Sequence, residues 1–163
     1  MTSWWGSRAR QFRAHVRANV RPDERSELEV WVSPEQLALY DSMHVADRRH
    51  GLDVVASLRA DGVTDPDALL AGLLHDAGKG DSGVWPRVAY TLGSRYGSWV
   101  ASPARVVPGY SASLERLRTH AQTSAALAAR AGCSARTVDL IRNQDAPIDP
   151  EFGELLRTAD EAN

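Results

Sequence analysis

Cysteine and lysine are scarce in this sequence. Cys133 is the single cysteine among 163 residues, which excludes an intrachain disulfide and any zinc site built from several cysteines. A metal site in this chain would therefore have to use histidine and carboxylate ligands. Lys79 is the single lysine among 19 basic residues. A bias toward arginine this strong is typical of codon composition rather than of function.

Long hydrophobic runs and signatures of several enzyme classes are also missing. The apolar run at residues 68–74 is far too short to cross a bilayer, and the N-terminus lacks the apolar core of a secretory signal. We therefore expect no transmembrane segment and a cytoplasmic location. The sequence has no glycine-rich phosphate loop, Gly-x-Ser-x-Gly elbow or Cys/His dyad pattern. With 43% hydrophobic and 25% charged residues and a net charge of −2, the chain has the composition of one soluble globular domain.

Helix start signals recur along the chain, whereas runs of alternating β-branched residues are missing. Ser33 precedes Pro34, and Gln36 completes a capping-box pattern. Further caps and stops lie at Asp65-Pro66, Asp149-Pro150, Ser134, Gly62 and Gly132. Together they predict helices over residues 4–19, 34–44, 46–61, 66–76, 86–96, 113–131, 134–144 and 150–161, with a loop over 97–111. The predicted fold class is all-α.

The N-terminal segment is basic and the remainder of the chain is acidic. Residues 1–21 contain five arginines and no acidic residue, and the helix predicted there places Arg10, Arg13, Arg17 and Arg21 on one face. This basic amphipathic helix could contact nucleic acid, an anionic surface or a protein partner. We favour the simpler interpretation, in which its aromatic side packs on the domain and its arginines are solvated.

Metal-type ligands interrupt the apolar faces of four predicted helices. They are His50, the pair His75-Asp76, His120 and Asp160. A single inward histidine is more often a hydrogen-bonded core residue than a ligand. Asp76 is harder to explain, because an acid that directly follows a long apolar run must be paired or metal-bound if it is buried. Imidazoles combined with carboxylates suit divalent transition metals.

In this order the residues resemble the H…HD…D signature of the HD-domain superfamily of metal-dependent phosphohydrolases. His75-Asp76 lies in LLHDAGKG, close to the HD-[IV]-GK form of that signature, and Asp160 lies in LLRTADEAN. The resemblance covers about residues 40–163. It implies a compact helical bundle, which we place at residues 33–163, after a basic helix and lead-in at residues 1–32. One divalent ion (Mn, Co, Ni, Fe, Zn or Mg) would be held by His50, His75, Asp76 and Asp160.

The resemblance also implies an activity, the hydrolysis of a phosphate ester of a nucleotide or small phosphorylated metabolite. Asp76 would orient a water molecule, and Lys79 would neutralise a phosphoryl oxygen unless it is only a solvated helix-end charge. His120 matches the first extra ligand of members with two metals. The region of the second extra ligand contains the weak ligands Asn143, Gln144 and Asp145, so we expect one metal and a His120 that contacts substrate or water.

A second hypothesis is a non-catalytic HD module that binds a nucleotide or a protein partner. The small size of the chain and its four intact candidate ligands favour the hydrolase instead. Neither the substrate nor the choice between monoester and diester follows from residue spacing.

Overall fold

The structure is a computed structural model that describes residues 19–80 and 110–163, with side chains for 19–80 and 119–163. These residues form seven α-helices and one short 3-10 helix, Ala77–Lys79, and they contain no strand. The all-α prediction is therefore confirmed. The α-helices are α1 Pro22–Leu28, α2 Pro34–Ser42, α3 Val45–Ala60, α4 Pro66–Leu74, α5 Tyr110–Arg130, α6 Ala135–Arg142 and α7 Gly153–Ala162. The helices predicted over residues 4–19 and 86–96 lie outside the described residues.

Side-chain caps start three helices where the sequence predicts them. At α2, the Ser33 hydroxyl accepts from the backbone N–H of Gln36, whose side chain accepts from the backbone N–H of Ser33. The Asp65 carboxylate accepts from two backbone N–H groups at the start of α4. At α6, Ser134 accepts from the backbone N–H of Thr137. These bonds satisfy N–H groups that have no partner inside a helix.

Two predicted helix starts are wrong, and one helix was not predicted. The helix expected to begin at Pro150 begins at Gly153, because the Asp149 carboxylate accepts from the backbone N–H groups of Glu151 and Phe152 in a turn ahead of it. Helix α5 begins at Tyr110, inside the predicted loop. Helix α1 was not predicted, and its sequence signal is a proline at the first turn with Arg21 in place of a conventional cap.

Helix α4 lies at the centre of the core, and residues 68–74 are all buried. Helices α3, α6 and α7 pack on it. Gly51 permits the close approach of α3, because a Cβ there would lie 2.5 Å from the carbonyl oxygen of Leu73. Leu28 and Val32, from the predicted lead-in, are buried in the same core cluster. No helix of the described ranges is both long enough and apolar enough to cross a membrane.

Candidate metal centre

Three elements distant in sequence place ligand atoms at one point. His50 lies in α3, His75 caps the C-terminus of α4, and Asp160 lies in α7. The Nε2 atoms of His50 and His75 are 2.8 and 3.3 Å from Oδ1 of Asp160. One ligand atom from each of the three residues lies within 4.8 Å of the other two. The structure therefore brings three of the four predicted ligands together in one group that is capable of holding a cation.

Asp76 lies beside this group rather than within it. Its side chain is 2% exposed, and its Oδ2 is 3.5 Å from Nε2 of His75 and 4.0 Å from Nε2 of His50. Asp76 belongs to the turn that joins α4 to the 3-10 helix. The same Oδ2 forms an ion pair with Lys79. Asp76 thus borders the three-residue group on the side of its two histidines, and it is also the counter-ion of Lys79.

The orientation of His75 is determined by the backbone of α4. Its Nδ1 donates to the carbonyl oxygen of Gly72 at 2.9 Å. Because a carbonyl can only accept, Nδ1 must carry a proton whatever the charge of the ring, and Nε2 faces the carboxylates. Among the described residues, Nε2 of His75 and Oδ1 of Asp76 are buried without a hydrogen-bond partner. A ring nitrogen and a carboxylate oxygen are both ligand types for divalent transition metals, and here both are buried without a partner. The residues present therefore suit the metal that the sequence predicts.

The ionisable groups of the centre shift one another's pKa values. Burial alone would lower the pKa of His75, but the carboxylates of Asp76 and Asp160 raise it to about 9. Burial would raise the pKa of Asp76, yet His75, Lys79 and His50 hold it well below its usual range. The pKa of Asp160 is likewise lowered by its histidine partners despite the opposing effect of burial. When no metal is bound, the positive charge of a protonated His75 therefore helps to balance the negative charges of Asp76 and Asp160.

Lys79 ends the 3-10 helix, a single short turn after Asp76. Burial would lower the pKa of its ammonium, but Asp76 and Asp47 raise it above its ordinary value. Asp47 was not predicted as a site residue. It lies one turn before His50 in α3 and is 4% exposed. The sequence signal for this role was the position of an acid three residues before His50, on the same face of the predicted helix.

His120, from α5, lies on the other side of the Asp76 carboxylate. Its Nε2 is 3.8 Å from Oδ1 of Asp76 and 2.8 Å from Nε2 of Gln144. The 3-10 helix approaches α5 closely at Gly78, where a Cβ would lie 2.6 Å from the backbone nitrogen of Ser124. The backbone N–H of Gly78 donates to the hydroxyl of Ser124 at 2.8 Å. This contact holds the 3-10 helix against α5. His120 itself borders the centre through Asp76 but is not one of the three grouped residues, His50, His75 and Asp160.

Gln144 has a place in the site that the sequence did not predict. The sequence indicates only that glutamine is a weak metal ligand, whereas the structure buries Gln144 at 8% exposure against His120. An amide just beyond the last turn of α6 gave no local signal for burial. The predicted basic face at Arg10, Arg13, Arg17 and Arg21 lies outside the described residues, apart from Arg21 at the start of α1.

Comparisons of the chain with protein-family models, with curated proteins and with solved structures give no match.

Proposed function

We propose that this chain is a metal-dependent phosphohydrolase of the HD type, which cleaves a phosphate ester of a nucleotide or of a small phosphorylated metabolite. One observation carries the proposal. His50, His75 and Asp160 converge from three separate helices, with Asp76 adjacent, in the order that the H…HD…D resemblance requires. Buried polar atoms without a hydrogen-bond partner are uncommon in folded proteins, and two of them, Nε2 of His75 and Oδ1 of Asp76, lie in this cluster.

The four residues would hold one divalent cation. Histidine nitrogens and carboxylate oxygens are the ligands that such ions prefer, and four protein ligands leave open positions on an octahedral ion. The chemistry supplied by a bound ion is polarisation of a phosphoryl oxygen and a lowered pKa of a water molecule. The other carboxylate oxygen of Asp76, Oδ1, has no hydrogen-bond partner among the described residues. That oxygen would accept a proton from a water molecule and orient it toward phosphorus.

Lys79 and His120 would act on the substrate. The Lys79 ammonium ion-pairs with Asp76 in the metal-free chain, and it would neutralise a phosphoryl oxygen of a bound ester. His120 would donate or accept a hydrogen bond with the substrate or with the attacking water. Its Nε2 lies 3.8 Å from Oδ1 of Asp76, whereas Lys79 pairs with the other oxygen, Oδ2.

The decisive experiment measures bound metal and phosphatase activity on the same preparations. We expect the wild type to bind one equivalent of Mn, Co, Ni, Fe, Zn or Mg and to hydrolyse a phosphate ester in a screen of nucleotides, sugar phosphates and diesters. Asp160→Asn should reduce metal affinity at least tenfold and activity by about 100-fold or more, because several kcal/mol of charge stabilisation is lost.

Glu161→Gln is the matched control, because Glu161 lies next to Asp160 in α7 and pairs with Arg157 at the surface. It should retain full metal content and activity. A wild type that takes up no divalent metal, or an Asp76→Ala variant that hydrolyses as fast as the wild type, would contradict the proposal. Thermal stabilisation by a nucleotide without any product would instead favour the non-catalytic binding module.

A further inference from the structure

Gln144 makes a contact that decides which lone pair His120 can offer. The side-chain nitrogen of an amide can only donate, so Nε2 of Gln144 donates to Nε2 of His120 at 2.8 Å. The accepting ring nitrogen must then carry a lone pair, and the ring proton of neutral His120 must reside on Nδ1. The contact therefore occupies the ring nitrogen that faces the centre.

Asp76 and His120 have the spacing of two ligands of one cation, and the contact with Gln144 is what engages the lone pair of His120. Oδ1 of Asp76 and Nε2 of His120 are 3.8 Å apart, within the roughly 3–4 Å that separates neighbouring ligands on an ion with bonds of about 2.1 Å. Oδ1 of Asp76 is buried without a hydrogen-bond partner among the described residues. If the amide contact were absent, Oδ1 of Asp76 and Nε2 of His120 would be the residues' available ligand atoms for a second cation.

We propose that Gln144 engages the Nε2 lone pair of His120 and thereby limits the centre to a single divalent cation. This inference rests on the proposed function, because it takes the first cation to be held by His50, His75, Asp76 and Asp160. An amide N–H that points at the imidazole nitrogen repels a cation at that position. The amide oxygen, which has no hydrogen-bond partner in the described part of the chain, is a weak ligand for transition metals. Gln144 is therefore a positioning residue that acts through His120.

The test counts cations in variants of position 144. Apo-protein is titrated calorimetrically with MnCl₂ and with ZnSO₄, and bound metal is measured after gel filtration. We expect one equivalent in the wild type and two in Gln144→His and Gln144→Glu, with the second at least tenfold weaker than the first. Both substitutions replace the amide N–H with a group that can ligate. Gln144→Glu keeps the shape of the side chain, so it serves if the histidine variant does not fold.

Asn143→His is the matched control. It introduces the same imidazole one residue earlier, where the native amide donates to the Asp139 carbonyl within α6. It should bind one equivalent. Two equivalents in the wild type, or one equivalent in a folded Gln144→Glu chain, would overturn the inference.

A second measurement needs no metal and separates this inference from the proposed function. Nitrogen-15 spectra of histidine-labelled apo-protein at pH 8, assigned by comparison with His120→Asn, report which ring nitrogen of His120 carries the proton. We expect the Nδ1–H tautomer in the wild type and a mixture of tautomers in Gln144→Leu. The Nε2–H tautomer in the wild type would overturn the inference. A wild type that binds no cation contradicts the proposed function, and this spectrum then decides whether Gln144 holds His120.

Discussion

At the scale of single residues, hydrogen bonds and ion pairs determine which atoms of each side chain remain available to the candidate centre. His75 commits Nδ1 to the carbonyl of Gly72, which leaves Nε2 for the centre. Oδ2 of Asp76 pairs with Lys79, whereas its Oδ1 lies 3.8 Å from Nε2 of His120 and has no hydrogen-bond partner among the described residues. Because these contacts are local, conservative substitutions at the contacting residues should change the activity without disrupting the fold.

Lys79→Arg tests the single lysine in a chain that otherwise uses arginine. The ammonium is a compact point charge, only 23% exposed beside Asp76, and a planar guanidinium distributes its charge and donors differently. We expect phosphatase activity to fall about tenfold, at the low end of the effect of one charged stabilising group, while metal content stays at one equivalent. Steady-state kinetics and metal analysis on the same sample check this. Full activity would make the lysine an accident of composition.

At the scale of elements, two glycines set the distances between the segments that carry the site. Gly51 allows α3, which carries His50, to contact the backbone of α4 near His75. Gly78 allows the 3-10 helix, which carries Lys79, to contact α5 near His120. The separation of the helices, and hence of the ligands, is therefore determined by positions that have no ligand chemistry of their own.

Gly51→Ala should destabilise the chain by about 1–3 kcal/mol, because the new Cβ would lie 2.5 Å from a backbone oxygen that cannot move independently. Helix propensity alone predicts the opposite sign, a gain of about 1 kcal/mol. Urea denaturation measures the change in the free energy of unfolding, so the sign distinguishes the two effects.

The control for this substitution is Gly62→Ala. Gly62 has a positive φ of 85°, but a Cβ added there would have no neighbouring atom within 4 Å. Its variant therefore reports backbone strain without a clash, at about 1 kcal/mol. A Gly51→Ala chain more stable than the wild type would show that α3 and α4 can separate without cost.

At the scale of the whole molecule, the centre ties the end of the chain to its first half. The hydrogen bond between His50 and Asp160 joins residues 110 positions apart. Helix α7, which carries Asp160, packs on both α3 and α4. Protonation and metal binding at this joint should therefore be measurable in the global stability of the fold.

The metal-free chain should be most stable between about pH 4 and pH 6.5. The folded pKa of His75 is raised from 6.5 to about 9, so its contribution is complete below pH 6.5 and is lost as pH rises to about 9. Asp76 and Asp160 have lowered pKa values, so their contributions are present above about pH 4 and are lost in acid. Thermal unfolding in EDTA across pH 3–9 checks this profile.

A bound cation should change how stability depends on pH above about pH 6.5, so that the loss of stability expected without metal does not occur. A metal ligand must be deprotonated, so stabilisation by Mn²⁺ should increase between about pH 6.5 and pH 9, with release of protons on binding. Paired melting curves with EDTA and with MnCl₂ measure the difference. A metal-free melting temperature that rises over this interval would contradict the assigned pairing of His75 with the two carboxylates.

The sequence by itself determined the helical class and most helix starts, because caps and proline positions act within about four residues of the chain. Ser33, Asp65 and Ser134 begin their helices as predicted for this reason. Where a turn competed locally, as at Asp149, the helix begins three residues later than predicted, at Gly153 instead of Pro150. Helix α1 was missed because Arg21 is not a recognisable cap.

Only the tertiary structure decided how the candidate ligands meet. The sequence indicated His50, His75, Asp76 and Asp160 as inward-facing residues, but local spacing contains no information about distances between helices. Packing of α3 and α7 on α4 placed three of them within 4.8 Å and left Asp76 between Lys79 and His120. Packing also buried Gln144 against His120. These arrangements depend on side-chain volumes and backbone contacts across the core, which no single stretch of sequence contains.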